Sequence, residues 1–239
     1  MIAVLTDPRR RDHLVATLSC VDSSASGERR LIVVDGTSLP DEPAAYAKAN
    51  GWETLFAPKP GEASPASNKH ATWAAFAAAA ASWEDLLFLE DDVVGSPNAA
   101  KYACAFTVPK DCAWVLMYAP WGDESMPWGV ARFHTSSFSY CQALKIPHRT
   151  LMELTGARAE MAYDRSGASD DCMRDAGARR DWLFGVHYPG LFQHVGADNS
   201  LVSGPDDAAL ATPGRVSKAW LGEVDARALV QRGGPVLFR

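Results

Sequence analysis

The sequence has no apolar stretch long enough to span a membrane, and its N-terminus lacks the basic residues and cleavage site of a secretory signal. Its five cysteines form no C-x-x-C pair, which argues against a disulfide framework or a zinc site. Acidic residues outnumber basic ones by 29 to 23, which argues against indiscriminate binding to phosphate backbones. We therefore expect a cytoplasmic protein with reduced cysteines and no membrane partner.

The composition is typical of a globular chain. Of the 239 residues, 47% are hydrophobic and 22% are charged, which is enough apolar material to bury a core. We expect two halves around one cleft, residues 1–95 and 96–203, followed by a surface tail over residues 204–239. Three short basic runs can form a local patch or, more simply, solvated faces. These runs are Arg9–Arg11, Arg29–Arg30 and Arg179–Arg180.

Three short apolar runs share one pattern, since each is followed at once by polar or acidic residues. The runs are residues 2–5, 31–34 and 86–89, followed by Thr6-Asp7, Asp35-Gly36 and Glu90-Asp91-Asp92. Continuous apolar runs of this length indicate parallel strands buried on both faces. An alanine-rich helix over residues 68–82 precedes the third run and completes a βαβ unit. We predict an α/β fold with a mostly parallel, Rossmann-type sheet flanked by helices.

The acids after the third run are the strongest chemical signal. Ligands bind beyond the carboxyl ends of parallel strands, and the consecutive Glu90, Asp91 and Asp92 repel one another there unless a cation neutralises them. Mg²⁺ and Mn²⁺ take one or two carboxylates from a protein and complete their shell with phosphate and water. The alternative is an acidic turn that caps the next helix through Asp92 or Ser96.

Two features of the second half also favour a binding site. The loop over residues 119–129 contains Trp121 and Trp128 among prolines and glycines, and such loops more often bind ligands or act as lids than connect elements. The alternative is that these tryptophans lie in the core. His194 follows an apolar segment and can supply a metal ligand from the far side of the cleft, or it is a buried histidine bonded to backbone.

These motifs together resemble those of the GT-A-fold glycosyltransferases. Residues 86–93, L-L-F-L-E-D-D-V, resemble the D-x-D metal-binding element of that family. Residues 188–201 are similar to the P-x-L-x-Q-H-x-G-x-x-S-L ending of N-acetylglucosaminyltransferase IV-like enzymes, but Asn199 stands where that ending usually has Ser. The resemblance covers roughly residues 1–201 as short motifs in the same order.

The resemblance implies a GT-A-like fold and a site for Mn²⁺ or Mg²⁺ and a nucleotide sugar. Asp92 and His194 would hold the metal, and Glu90 would complete this set and face the ribose or the sugar. Further residues would seat the nucleotide. These are Thr6, Arg9, Asp35, Asn68, Lys69 and Asp91.

The resemblance also implies an inverting transfer, in which a carboxylate deprotonates the acceptor hydroxyl. Asp171 matches the final acid of the motif that carries this base, and Asp170 fits better if Met173 is the buried residue of the helix. The alternative is that these acids cap a helix. Trp121, Trp128 and Tyr140 would form the acceptor side.

The implied donor is a nucleotide diphosphate sugar, with a UDP-sugar favoured, bound by residues 1–95, and the acceptor is bound by residues 96–203. The acceptor would be a cytosolic glycan precursor or a 5-hydroxymethylpyrimidine in DNA, as with phage-encoded base glycosyltransferases, the basic runs then holding the DNA backbone. One alternative is a sugar-nucleotide-binding module without catalysis. A nucleotidyltransferase is a weaker one, because residues 6–11 contain none of the glycines of a phosphate loop.

Overall fold

The computed structural model describes most of the chain in ten segments. These are residues 1–7, 11–25, 27–57, 65–120, 128–139, 141–157, 169–195, 220–224, 226 and 236–237. The strands within them are β1 (Ile2–Thr6), β2 (Arg30–Val34), β3 (Glu53–Phe56), β4 (Leu86–Glu90), β5 (Val93–Gly95), β6 (Cys112–Leu116), β7 (Gly129–His134), β8 (Ala143–Ile146), β9 (Leu183–Tyr188), β10 (Phe192–His194) and β11 (Val236–Leu237). The helices are α1 (Arg11–Asp22), α2 (Asp41–Ala49), α3 (Pro65–Ala81), α4 (Ala99–Ala105), α5 (His148–Ala157) and α6 (Ser169–Ala178).

The central sheet has nine strands in the order β11-β7-β9-β6-β8-β4-β1-β2-β3. The four strands β3, β2, β1 and β4 are parallel neighbours. The apolar runs of β1, β2 and β4 are buried, as expected for strands that are covered on both faces. Two apolar layers cover the sheet. On one face Phe76 of α3 contacts Phe88 of β4 with ring centroids 5.7 Å apart. The prediction of a mostly parallel α/β sheet flanked by helices is confirmed.

The direction of the remaining strands decides where the chain can build a site. Strand β8 is antiparallel to both β4 and β6, and β9 is parallel to β6. Strands β4, β6 and β9 therefore point the same way as β1 and β2. Their carboxyl ends share one edge of the sheet, called here the carboxyl edge, where an open parallel sheet binds its ligands.

The sequence of residues 136–144 predicts one strand, and the structure differs there. A 3-10 turn occupies Thr135–Ser137, and β8 begins only at Ala143. The His134 side chain accepts a hydrogen bond from the Ser136 amide, and the Ser137 hydroxyl donates to the His134 carbonyl. Such local bonds from polar side chains compete with strand pairing.

The helix expected over residues 68–82 begins earlier, at Pro65. Proline suits the first helical position because its missing N–H has no partner to lose there. In the part of the chain that the structure describes, no helix is long and apolar enough to cross a membrane. The division into residues 1–95, 96–203 and 204–239 stays a prediction. The described C-terminal residues include buried Leu221, whose amide donates to the Gly190 carbonyl at 2.9 Å.

Candidate functional site

The predicted acidic turn lies at the carboxyl edge, between β4 and β5. Glu90 ends β4, and Asp91 and Asp92 form a buried turn before Val93. From α1, the buried hydroxyl of Thr17 lies 2.8 Å from both the Asp91 and the Val93 carbonyl oxygens. The Thr17 side chain thus holds the backbone on both sides of Asp92. The packing of α1 against the acidic turn therefore determines the position of the Asp92 carboxylate.

Asp91 is bonded to the end of the neighbouring strand. The Thr6 hydroxyl donates to Asp91 Oδ2 at 2.6 Å, and both side chains are buried. An O–H bond to an ionised oxygen at this distance is a strong, charge-assisted one. Asp35, at the end of β2, is also buried, and its amide donates to the Thr6 carbonyl at 2.8 Å. Three residues predicted for the nucleotide site therefore lie side by side.

Asp92 and His194 meet although 102 positions separate them in the chain. Strand β10 pairs antiparallel with β5, which places His194 opposite Val93, and the Val195 amide donates to the Asp92 carbonyl at 2.8 Å. His194 Nε2 lies 3.1 Å from Asp92 Oδ2, and both side chains are buried. The two-stranded sheet β5–β10 thus brings an imidazole from the second half to a carboxylate of the first.

The donor chemistry of this pair fits a divalent cation. Adjacent ligands of an octahedral ion, each at about 2.1 Å, stand about 3 Å apart, which is close to the separation of Asp92 Oδ2 and His194 Nε2. Within the described residues, no group of three or more His, Cys, Asp or Glu side chains is arranged to hold a metal together. The pair alone is enough for an ion that completes its shell with phosphate oxygens and water.

Glu90 and Asp170, which lies in the first turn of α6, both act on the Cys141 thiol. Burial, and next the carboxylates of Asp170 and Glu90, raise the pKa of this thiol well above its usual value. The Asp170 carboxylate also accepts a hydrogen bond from the Asp171 amide at 3.0 Å. The two carboxylates therefore share one electrostatic neighbour, a buried thiol.

Asp171 has a different environment. Its Oδ1 accepts a hydrogen bond from the Arg174 guanidinium at 2.5 Å, an ion pair three residues apart on α6. Asp170 and Asp171 are thus consecutive acids with different neighbours. Their position in the first turn also fits the capping alternative, because the N-terminal end of a helix favours negative charge.

Lys69 is a buried cation on α3, where α6 packs against that helix. Burial raises the pKa of the Cys172 thiol of α6, and the Lys69 ammonium, which is hydrogen-bonded to this thiol, acts in the opposite direction. Asp175 and Asp171 also act on the same thiol. Lys69 therefore connects α3 to the helix that carries the candidate bases.

The other predicted residues divide into two groups. Trp128 is half-buried against the core and immediately precedes Gly129, which pairs with Tyr188 at the carboxyl end of β9. Trp128 is therefore at the carboxyl edge. Arg9, Trp121, Tyr140 and the side chain of Asn68 lie outside the described residues.

Several residues that shape this edge were not among the predicted site residues. They are Thr17, Cys141, Gln142, Ser169, Cys172 and Arg174. Of these residues, only Arg174 could have been predicted from the sequence, because it stands three residues after Asp171 on a helix and this spacing permits an ion pair. The others act through contacts between distant segments, such as the Gln142 carbonyl that accepts the Glu90 amide at 2.9 Å.

Comparison with known proteins supports the fold and no closer relationship. No protein-family model and no curated protein matches the sequence. Among solved structures, TarS of S. aureus is similar at 12% identity and a TM-score of 0.52 over 77% of this chain and 34% of that chain. GlyE of Streptococcus pneumoniae TIGR4 is similar at 8% identity and 0.46, over 74% and 42%. The galactosyltransferase LgtC, solved with donor and acceptor sugar analogs, is similar at 12% and 0.47, over 94% and 88%.

GlyE is a glycosyltransferase and LgtC is a galactosyltransferase. At such low identity the similarity shows the fold alone. This conclusion rests on TarS, whose TM-score is 0.52. This chain spans about a third of the length of TarS and about two fifths of that of GlyE. The fold is thus a GT-A-like one, and what the chain does with it depends on the carboxyl edge.

Proposed function

We propose that this protein is a metal-dependent glycosyltransferase. It moves a sugar from a nucleotide diphosphate sugar, with a UDP-sugar favoured, to a hydroxyl of an acceptor, with inversion at the anomeric carbon. The observation that supports this most is the buried contact between Asp92 and His194 at the carboxyl edge of a GT-A-like sheet. It combines a carboxylate and an imidazole where such a sheet binds ligands.

Asp92 and His194 are proposed to hold Mn²⁺ or Mg²⁺, both of which accept oxygen and nitrogen ligands. When bound, the ion neutralises the charge of the departing diphosphate as a Lewis acid. Glu90, two residues before Asp92 and on the side of the candidate bases, is proposed to face the sugar rather than to complete the metal site. The hydroxyl of Thr17 keeps the backbone of Asp92 in place.

The nucleotide is proposed to lie over the ends of β1 and β2. Asp35, which is buried at the end of β2 and bonded through its amide to Thr6 of β1, is proposed to accept ribose or base donors. Lys69 is the cation proposed for the diphosphate side. Its link to α6 through Cys172 then joins the nucleotide site to the helix of the candidate bases.

Either Asp170 or Asp171 is proposed as the base. Its carboxylate accepts the proton of the acceptor hydroxyl while the hydroxyl oxygen bonds to the anomeric carbon and the bond to the diphosphate oxygen breaks. The neighbours favour Asp170, because Asp171 is ion-paired with Arg174, whereas the Asp170 carboxylate acts, as that of Glu90 does, on the buried Cys141 thiol. Trp128 at the same edge is proposed to contact the acceptor, as are Trp121 and Tyr140.

The acceptor is proposed to be a cytosolic glycan precursor in preference to a hydroxymethylated base in DNA. Basic residues would have to hold the DNA backbone, and several described ones already contact acids. Arg30 bonds to Asp22 at 2.5 Å, and Arg180 lies 3.7 Å from Glu153. Salt-sensitive binding of duplex DNA would reverse this preference.

Thermal unfolding with nucleotides tests the donor site directly. UDP, GDP, CMP and their sugars are each added with and without Mn²⁺, and the matching nucleotide should raise the Tm only when Mn²⁺ is present. Asp92→Ala should lose this metal-dependent rise. If no nucleotide raises the Tm with Mn²⁺, and Asp92→Ala behaves as the unmodified protein does, the proposal is wrong and a binding module without metal chemistry remains.

A further inference from the structure

Trp83 combines two features that are costly for a folded protein. Its side chain is 79% exposed, and its backbone has a φ of 59°, in the left-handed region. Bulky side chains rarely adopt this conformation, and helix ends that need it usually have Gly or Asn. A large aromatic residue kept in such a place points to a role outside the fold itself.

One face of the Trp83 indole ring is covered by a neighbouring side chain. It stacks on the imidazole of His148, with ring centroids 5.0 Å apart and 29° between the planes. His148 is fixed at both ends, because its Nε2 lies 3.1 Å from the Ala80 carbonyl oxygen and its amide donates to Asp85 Oδ1 at 2.8 Å. One face of the indole is thus supported by the protein, and the large exposure means that the other face is open to solvent.

The surroundings of this ring favour a small uncharged ligand. Glu84 and Asp85, directly after Trp83, are partly exposed acids that each lie near a cation. Glu84 is 3.5 Å from the Met1 ammonium and Asp85 is 3.9 Å from Lys145 Nζ. The charges beside the ring therefore balance one another, which favours an uncharged ligand. Exposed Met152 lies one helical turn beyond His148. A single indole ring can bury at most about 250 Å² of surface, whereas a stable protein–protein interface buries about 800 Å² on each partner. The ring is therefore large enough for a small ligand but too small for a protein.

We propose that Trp83 forms a saccharide-binding site in which the C–H face of a pyranose packs on the open face of the indole. Trp83 precedes β4, whereas Glu90 ends it, so the length of a five-residue strand, about 17 Å, separates this site from the carboxyl edge. The site would hold a glycan independently of the proposed transfer reaction.

Nitrogen-15 NMR of the indole N–H groups tests this site without enzymatic activity. The chain has eight tryptophans, and Trp83→Asn identifies the Trp83 resonance by its loss. Methyl glucoside, methyl galactoside and chitotetraose are titrated to about 10 mM, a range suited to weak binding. We expect a saturable shift of the Trp83 resonance with at least one of them.

The variants separate binding from folding. Because Asn tolerates the left-handed conformation, Trp83→Asn should keep or raise the Tm while lowering saccharide affinity at least tenfold, as saturation-transfer NMR of the saccharide resonances measures for each variant and the unmodified protein. Phe56→Asn, which removes another exposed aromatic ring, should leave the affinity unchanged. Asp92→Ala should leave the Trp83 shift intact, so failure of the proposed transferase and failure of this site are distinguishable. No shift of the Trp83 resonance, or unchanged saccharide affinity in Trp83→Asn, overturns the proposal.

Discussion

Thr17→Val should both destabilise the protein and weaken the donor site. Valine keeps the shape of threonine but removes the hydroxyl that lies 2.8 Å from the Asp91 and Val93 carbonyl oxygens. Losing a buried hydrogen bond and leaving its acceptor without that donor costs about 1–2 kcal/mol. For a chain of this size the Tm should fall by about 2–8 °C. Because these carbonyls flank Asp92, the affinity for a nucleotide with Mn²⁺ should also fall, by about tenfold if about 1.4 kcal/mol of positioning is lost.

Thr150→Val is the matched control for this prediction. Thr150 is also a buried helical threonine, and its hydroxyl donates to the Ala113 carbonyl at 2.7 Å, at the start of α5 rather than at the acidic turn. Thermal unfolding of both variants should show similar losses of stability. Only Thr17→Val should weaken the metal-dependent rise in Tm with nucleotide. Equal effects of the two variants on nucleotide affinity, or an unchanged Tm for Thr17→Val, would refute the role given to Thr17.

Two further predictions concern a buried histidine and the base. Burial lowers the pKa of His187 to about 4, against the opposing hydrogen bond with the Pro189 carbonyl. The neutral form therefore stabilises the folded state above about pH 6.5, and this contribution is lost as pH falls from about 6.5 to about 4. Urea unfolding should show that the free energy of unfolding falls by about 2 kcal/mol between pH 7 and pH 5, and that His187→Gln lacks this fall. Equal losses in the two proteins would contradict the role given to His187. For the base, Asp170→Asn should lower kcat at least about 100-fold, and Asp171→Asn less than tenfold, as steady-state kinetics would measure; the reverse order would assign the base to Asp171.

The parts of the fold that the sequence predicts well are those with a local physical cause. Continuous apolar runs identify β1, β2 and β4, because a strand covered on both faces needs apolar residues at every position. The exposed four-residue β3 and the three-residue β5 and β10 have no such signal. Their pairing depends on neighbours that a single sequence does not reveal.

The candidate site shows the same division. Asp92 and His194 could be selected from sequence because each stands in a recognisable short motif, and the structure brings them into contact. The link from Lys69 to Cys172 joins two helices that are distant in sequence, and neither residue type predicts the other. The 3-10 turn at Thr135–Ser137 shows how local bonds of polar side chains can interrupt a segment that reads as a strand.

The most direct test of the central claim is turnover of a nucleotide sugar. Release of the nucleotide (UDP, GDP or CMP) is measured for a panel of UDP-, GDP- and CMP-sugars with and without Mn²⁺, for the unmodified protein and for Asp92→Asn. We expect release from at least one donor that requires the metal and falls at least about 100-fold in the variant. Turnover that is indifferent to both Mn²⁺ and Asp92, or no turnover of any nucleotide sugar, would contradict it.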